Sequence, residues 1–332
     1  MTTGNPPPSP QPPSRSPARI GLVLGSGSAR GLAHLGVVRA LDEAGLRCHC
    51  IVGSSMGALV GAICAAGQQD QLAATFQAFD WRRTLSFFDV VLPRSGLLDG
   101  ARVSELVREH VGSVRIEDLP VRFAAVATDL MTGQEVALQS GDLIEAVRAS
   151  ISVPGIFTPV RRNGSILVDG GLVNPVPVSV ARAMGADVVI AVDLNHQIVA
   201  GKNFRPLIDR TPVTLPDAAP WLASYRRAMH ELRERLQASE WAKGLALARG
   251  VAPAAQEPQP SIFEVLLASI NVMETRITQT RLALEPPDLL IQPPLGHIRF
   301  LEFARADELI QMGYDAAQHA LAQWSGLRTP DC

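Results

Sequence analysis

The stretch Ile51-Val52-Gly53-Ser54-Ser55-Met56-Gly57-Ala58-Leu59-Val60 decides how this chain is read. Its opening residues close a short apolar run, Cys48–Val52, of the kind that forms a buried strand, and Ala58–Ala66 follows as a helix of mostly small residues. Between strand and helix stands G-x-S-x-G. In that context the pattern is a nucleophile elbow. Gly53 and Gly57 allow a turn tight enough to lift a serine Oγ above the sheet, and the helix N-terminus behind it faces any negative charge that develops there. Ser55 is the candidate nucleophile. The string alone carries little, because small residues often open helices; its flanks give it weight.

Upstream, Ile20-Gly21-Leu22-Val23-Leu24 is a second buried-strand run. It ends in Gly25-Ser26-Gly27-Ser28-Ala29-Arg30-Gly31, and Leu32 to Ala44 reads as a helix stopped by Gly45. Three glycines in seven residues can turn successive backbone N–H groups toward an anion. Two anions fit, a dinucleotide phosphate or the oxyanion of an acyl-transfer intermediate. No Lys-Ser/Thr follows the last glycine, so a P-loop is excluded. The spacing is G-x-G-x-x-x-G, and the second strand closes on Gly53-Ser54-Ser55 where a dinucleotide fold places a ribose-binding acid. Those departures favour the oxyanion.

The alternation of strands and helices continues. Helices are expected at 102–111, 142–150 and 176–184, and strands at 121–128, 135–139 and 187–193. Asn163-Gly164 between 157–161 and 165–168 is a type I′ hairpin signal. The strand Ser165–Val168 runs into Asp169-Gly170-Gly171, a third glycine-flanked loop at the end of a strand. Ligands of open α/β sheets bind along that edge. Further on, 197–220 and 250–260 read as loops, 221–247 as a long helix that would lie on the domain or act as a lid, 262–284 as a helix, 289–291 as a buried strand and 306–324 as the last helix. The organisation expected is a proline-rich tail at 1–19, an α/β core at 20–195 and a helical C-terminal extension at 196–332 packed on it.

Composition bounds the function. The chain has 332 residues, 47% of them hydrophobic and 19% charged, which describes a globular protein able to fold without staples. A net charge of −2 leaves no electrostatic footprint for nucleic acid. Cys48, Cys50, Cys64 and Cys332 form neither a disulfide framework nor a C-x-x-C pair, so a reducing, cytoplasmic location is expected, with peripheral membrane contact open. Seven prolines within residues 1–17 make that segment neither a signal peptide nor a membrane span, and a disordered tail or a proline-recognition ligand is the expectation.

For a full triad the histidines in hydrolase order would be His196, His230, His297 and His319, none of them in a glycine-flanked loop. His34, His49 and His110 fall in a helix, a strand and a helix end and read as structural. The sequence therefore points to a Ser55–Asp169 dyad. An aspartate is a weak base at its ordinary pKa of about 3.9; burial beside the serine would raise it.

These motifs together resemble the patatin-like phospholipase family, and within it the bacterial branch related to neuropathy target esterase. The likeness rests on Gly25–Gly31 with Arg30, on Gly53–Gly57, on Asp169-Gly170-Gly171, on the stretch Ala149–Phe157 and on Asn174-Pro175-Val176-Pro177. It runs from Ile20 to Leu194 and more loosely through Leu301-Glu302-Phe303 and Gly313-Tyr314. The resemblance implies a three-layer α/β/α sandwich with a mainly parallel sheet, and an acyl hydrolase with no catalytic histidine, cofactor or metal. It implies Ser55 as nucleophile, Asp169 as general base, and amides around Gly27 and Ser28, with that of Met56, as oxyanion hole. Gly25, Arg30, Gly31, Gly53, Gly57, Gly170 and Gly171 would support the loops. The family's loop carries three consecutive glycines where Ser26-Gly27-Ser28 stands here, which leaves open which amide donates. The implied substrate is a fatty-acyl ester of a phospholipid or lysophospholipid; a regulatory protein retaining the fold without turnover is the alternative.

Overall fold

Apolar runs such as Ile20–Leu24 contain no outward-facing polar residue, so they are stable only in a sheet covered on both faces. That is where the computed structural model, which describes residues 18–78, 98–196 and 262–324, places them. The strands are β1 (Ile20–Leu24), β2 (Cys48–Ser54), β3 (Arg122–Asp129), β4 (Glu135–Leu138), β5 (Val160–Arg162), β6 (Ser165–Asp169), β7 (Val188–Val192) and β8 (Leu289–Ile291). The helices are α1 (Ala33–Glu43), α2 (Met56–Ala65), α3 (Gln69–Gln77), α4 (Ala101–Val111), α5 (Leu143–Ser150), α6 (Val178–Ala183), α7 (Ile262–Leu284) and α8 (Ala306–Gln323). The helix read at 221–247, the loops at 197–220 and 250–260 and the tail through residue 17 lie outside the described residues. At the tail's end Arg19 is paired with Asp187 at 2.8 Å.

The eight strands form one sheet in the order β5-β6-β3-β2-β1-β7-β8, with β4 also on β3. Pairings among β3, β2, β1, β7 and β8 are parallel, while β4, β5 and β6 pair antiparallel. Asn163 and Gly164 turn the β5–β6 hairpin at φ 49° and 83°, the positive values a type I′ turn requires. Side chains alternate across the sheet. Val23, Val52, Val126 and Val189 pack toward Val178, Val180 and Ala181 of α6, with Leu282 of α7 against the same cluster. On the opposite face α2 lies against Leu24, Ile51 and Phe123, and α1 and α8 pack beside it. The result is the expected α/β/α layering on a mixed, mostly parallel sheet.

One feature of register positions the site. β3 pairs with β2 over Arg122–Val126, with β4 over Ala125–Thr128 and with β6 over Ala127–Asp129. A strand has two edges, and β4 overlaps both of the others, so β2 and β6 share the remaining edge end to end. β2 finishes with Ser54 opposite Val126, and β6 arrives from the other direction with Asp169 opposite Ala127. The residue after β2 and the last residue of β6 therefore meet.

Helices α1 and α8 approach backbone to backbone. A side chain at Gly36 would run into the Ile310 carbonyl, and one at Gly313 into the Ala33 carbonyl. Backbone cannot swing away as a rotamer can. Gly36→Val and Gly313→Val should each lower stability by about 1–3 kcal/mol or more, read as a shifted urea midpoint; unchanged midpoints in both would show that the helices part without cost.

Candidate active site

Ser55 follows β2 and caps α2 with φ 55° and ψ −125°, a conformation residues with a Cβ seldom adopt. Such strain costs about 1–3 kcal/mol and survives only where the surroundings impose it. Here close approach imposes it. A Cβ at Gly53 would meet the Gly57 carbonyl, and one at Gly57 would meet the Leu24 carbonyl, so Gly53 lets β2 close onto the start of α2 and Gly57 lets the elbow close onto β1. The Ser55 N–H donates to Ser150 Oγ at 3.0 Å, and that hydroxyl donates to the Val126 carbonyl. Ser150, the last residue of α5, thus ties the elbow to β3.

The Ser55 Oγ donates to Asp169 Oδ2 at 2.7 Å. The other carboxylate oxygen accepts the Gly171 N–H at 2.7 Å, and the Asp169 carbonyl accepts from Thr128 Oγ1 at 2.7 Å. Asp169 is buried. Removal from water pushes its carboxyl well above the usual carboxylate range, while the bonds from Ser55 and Gly171 pull the other way. A carboxyl held in this way is a far better proton acceptor at neutral pH than an exposed one.

The glycine-rich loop faces the same hydroxyl. Its amides at Gly25, Ser26, Ala29 and Arg30 donate to the carbonyls of Val192, Pro175, Phe300 and Gly27. Among the described residues the Gly27 and Ser28 amides have no such partner, and the Met56 amide is a first-turn helix donor. Ser28 is held at φ 49°. Gly31 admits Met56 against the loop, since any side chain there would overlap it. Arg30 lies buried beneath, with Nε on the Gly27 carbonyl at 3.1 Å and Nη2 on Asn271 Oδ1 at 3.2 Å. Burial pushes its pKa down to about 10, against the opposing pull of Glu274 and Asp193. His34 holds the Gly25 carbonyl at 2.8 Å, and burial lowers its pKa to about 4, so it is neutral.

Ser28, Ser55 and Met56 border a pocket walled by Leu59, Val103, Ile151, Val153, Ile156, Phe157, Phe300 and Phe303. Its lining combines the two serines with residues that are otherwise apolar. Arg148 braces this wall, donating to the Asp99 carbonyl, Ser152 Oγ and the Thr158 carbonyl.

Ser55, Asp169, Gly27, Ser28 and Met56 are thus brought together, with the supporting glycines and Arg30 around them. Of the other histidines, His297 faces Glu308 and His319 faces Gln323, while His230 lies outside the described residues. Among the described residues no cluster could hold a metal ion, and no helix is long and apolar enough to cross a membrane. Sequence reasoning missed Ser150, Asn195 and Glu274. Ser26 Oγ and Asn195 Nδ2 both donate to Glu274 Oε2 at 3.2 Å. The one available signal was the spacing of Asn271, Glu274, Thr275 and Thr278, a polar stripe along α7 that ordinarily faces water. Here it is buried, and Leu266, Val272 and Met273 are exposed.

Residues 22–182 match the family model described as patatin-like phospholipase. The chain is 36% identical to an uncharacterized NTE family protein of Mycobacterium tuberculosis, over 93% of this chain and 92% of that one. A second NTE family protein of that organism is 34% identical over 91% of this chain and 46% of its own length. Lysophospholipase NTE1 of Pyricularia oryzae is 27% identical over 89% of this chain and 18% of its own. The solved structure of VipD from Legionella pneumophila aligns at 15% identity and a TM-score of 0.42, covering 93% of this chain and 68% of that one.

Ser150→Ala would leave the buried Ser55 amide and Val126 carbonyl without their partner. A loss of about 1–3 kcal/mol in unfolding free energy is expected, measured by urea denaturation. Stability equal to the parent's would mean that the elbow does not depend on this bridge.

Proposed function

This chain belongs to the patatin-like phospholipase family, in its NTE branch, and we propose that it is a serine acyl hydrolase working through a Ser55–Asp169 dyad on fatty-acyl esters of phospholipids or lysophospholipids. The observation that carries this reading is the 2.7 Å hydrogen bond from Ser55 Oγ, at the strained elbow, to a buried aspartate. As Ser55 attacks the ester carbonyl, Asp169 Oδ2 takes its proton. The negative charge on the carbonyl oxygen meets the amides of Gly27 and Ser28, with that of Met56 beside them. Collapse of the tetrahedral intermediate breaks the ester bond, and Asp169 returns the proton to the leaving alcohol. Asp169 then deprotonates a water that attacks the acyl-enzyme, and the proton goes back to Ser55 as the fatty acid departs. The apolar wall from Leu59 to Phe303 suits the hydrocarbon of the acyl chain.

Asp169 must be ionised to act as base. Because its carboxyl is raised, it takes up a proton at a pH where an ordinary carboxylate is still charged. Ester hydrolysis should accordingly fall as pH drops from neutral through mildly acidic values. A rate that holds down to about pH 4.5, near the ordinary carboxylate range, would contradict a raised base.

A fluorophosphonate probe followed by intact mass tests the mechanism directly. One adduct is expected on the wild type, none on Ser55→Ala and slowed labelling on Asp169→Asn, with lysophospholipid hydrolysis lost in parallel. Undiminished hydrolysis by Ser55→Ala would overturn the mechanism. A folded wild type that neither labels nor turns over would instead favour the regulatory reading of the same fold.

A further inference from the structure

Resting on that reading, we propose that Glu274 of α7 is a positioning residue of the hydrolase: in its protonated form it holds Ser26 and Asn195 at the glycine-rich loop and leaves Asp169 as the ionised one of the two carboxyls that flank Gly171, so that loss of the Glu274 proton lowers turnover.

The placement is specific. Glu274 is buried, and its Oε2 accepts from Ser26 Oγ and Asn195 Nδ2, which also bond each other at 3.2 Å. Ser26 directly precedes the two free amides of the loop. The second oxygen, Oε1, lies against Gly171, the residue whose N–H binds Asp169 Oδ1. A Cβ at Gly171 would overlap Glu274 Oε1 and stand 3.0 Å from Asp169 Oδ1. Only a glycine lets the two carboxyls flank the same turn. The groups facing Glu274 are therefore Asp169 from β6, Ser26 and Arg30 from the loop, and Asn195 from the segment after β7, where Asp193 acts on Arg30. On α7 itself Asn271, Thr275 and Thr278 are buried alongside.

Two buried carboxylates at such proximity repel, and burial opposes a second charge. Desolvation first, and then the Asp169 charge, push the Glu274 carboxyl upward, with Arg30 offsetting part of that. Each anion is favoured by two hydrogen bonds, Asp169 by those from Ser55 and Gly171 and Glu274 by those from Ser26 and Asn195. The Asp169 charge disfavours a second one on Glu274, and with the proton on Glu274 the charge stays on Asp169 beside Ser55, the division that base catalysis needs. If Glu274 also ionises, a second negative charge stands under the loop that must receive the oxyanion, and the transition state is disfavoured.

The test compares wild type, Glu274→Gln and Glu274→Ala with p-nitrophenyl butyrate from about pH 5 to about pH 10, a range that exposes both limbs of a pH–rate profile. Wild type should show a bell. Glu274→Gln mimics the protonated acid and should lose the alkaline limb, raising its alkaline-to-neutral rate ratio about tenfold. Glu274→Ala cuts the tether to Ser26 and should lower kcat by about tenfold or more with little change in KM, and the glutamine should restore most of that. Urea stability across the same pH range gives a readout independent of catalysis. A carboxyl raised in the folded state contributes stability present below its unfolded pKa and lost as pH rises through the folded value. The wild type should lose stability on that rise and Glu274→Gln less. An unchanged alkaline limb together with an unchanged stability slope in Glu274→Gln would overturn the proposal. Hydrolysis surviving in Ser55→Ala would remove the catalytic role for a different reason, the failure of the dyad, while the stability slope would still report the Glu274 proton.

Discussion

The site depends on one constraint, the sharing of a single edge of β3 by two strands that approach from opposite directions. β2 uses that edge up to Val126 and β6 takes it over from Ala127. Backbone hydrogen bonding fixes both registers, and a slip of one residue would turn every side chain of the slipped strand to the other face of a sheet buried on both. Ser55 and Asp169 are separated by 114 residues in the chain yet meet at 2.7 Å because of this junction. Antiparallel entry of β6 is what aims the end of that strand at the end of β2; a parallel strand there would have presented its opposite end.

Around that junction the structure repeatedly places backbone where side chains would ordinarily stand. Gly57 against the Leu24 carbonyl, Gly31 against Met56 and Gly171 between two carboxyls each remove a Cβ so that a neighbour can come closer. The loops are consequently rigid without being stiff in sequence. The glycine-rich loop and the elbow are also secured by buried polar side chains: His34 on the Gly25 carbonyl, Arg30 on the Gly27 carbonyl, Ser150 on the Ser55 amide. Buried polar groups are costly unless satisfied; Arg30 also reaches Asn271 and Ser150 the Val126 carbonyl, while the His34 Nδ1 has no partner among the described residues. Among the described residues the Gly27 and Ser28 amides are left without a backbone partner, in a loop whose neighbouring amides are already occupied.

The burial of ionisable groups gives the site its chemistry. Asp169, Glu274 and Arg30 are all buried, so the protonation state of Glu274 depends on the charges of the other two. α7 supplies Glu274 by turning a polar stripe inward and leaving Leu266, Val272 and Met273 at the surface. Helix amphipathicity read as apolar-in therefore misses this stripe, which is buried together with Leu267 and Ile270 of the same helix. The helix itself was legible over Ile262–Leu284, because its length and apolar content are those of a packed helix whichever side is inside.

The sequence by itself determined the local elements and the identity of the three glycine-flanked loops. Strand runs such as Ile20–Leu24, the Asn163-Gly164 turn and the flanks of Gly53–Gly57 are local: propensity and periodicity act over a few residues, and those residues are adjacent in the chain. Tertiary structure alone decided that Ser150 would hold the Ser55 amide, that Glu274 would lie beside Asp169 and beneath Ser26, and that β6 would enter antiparallel on the edge left free by β2. Each of these joins residues far apart in sequence, and each is selected by the burial of polar groups that must find partners. Spacing along the chain carries at most the polar stripe of α7, which does not say where its partners lie.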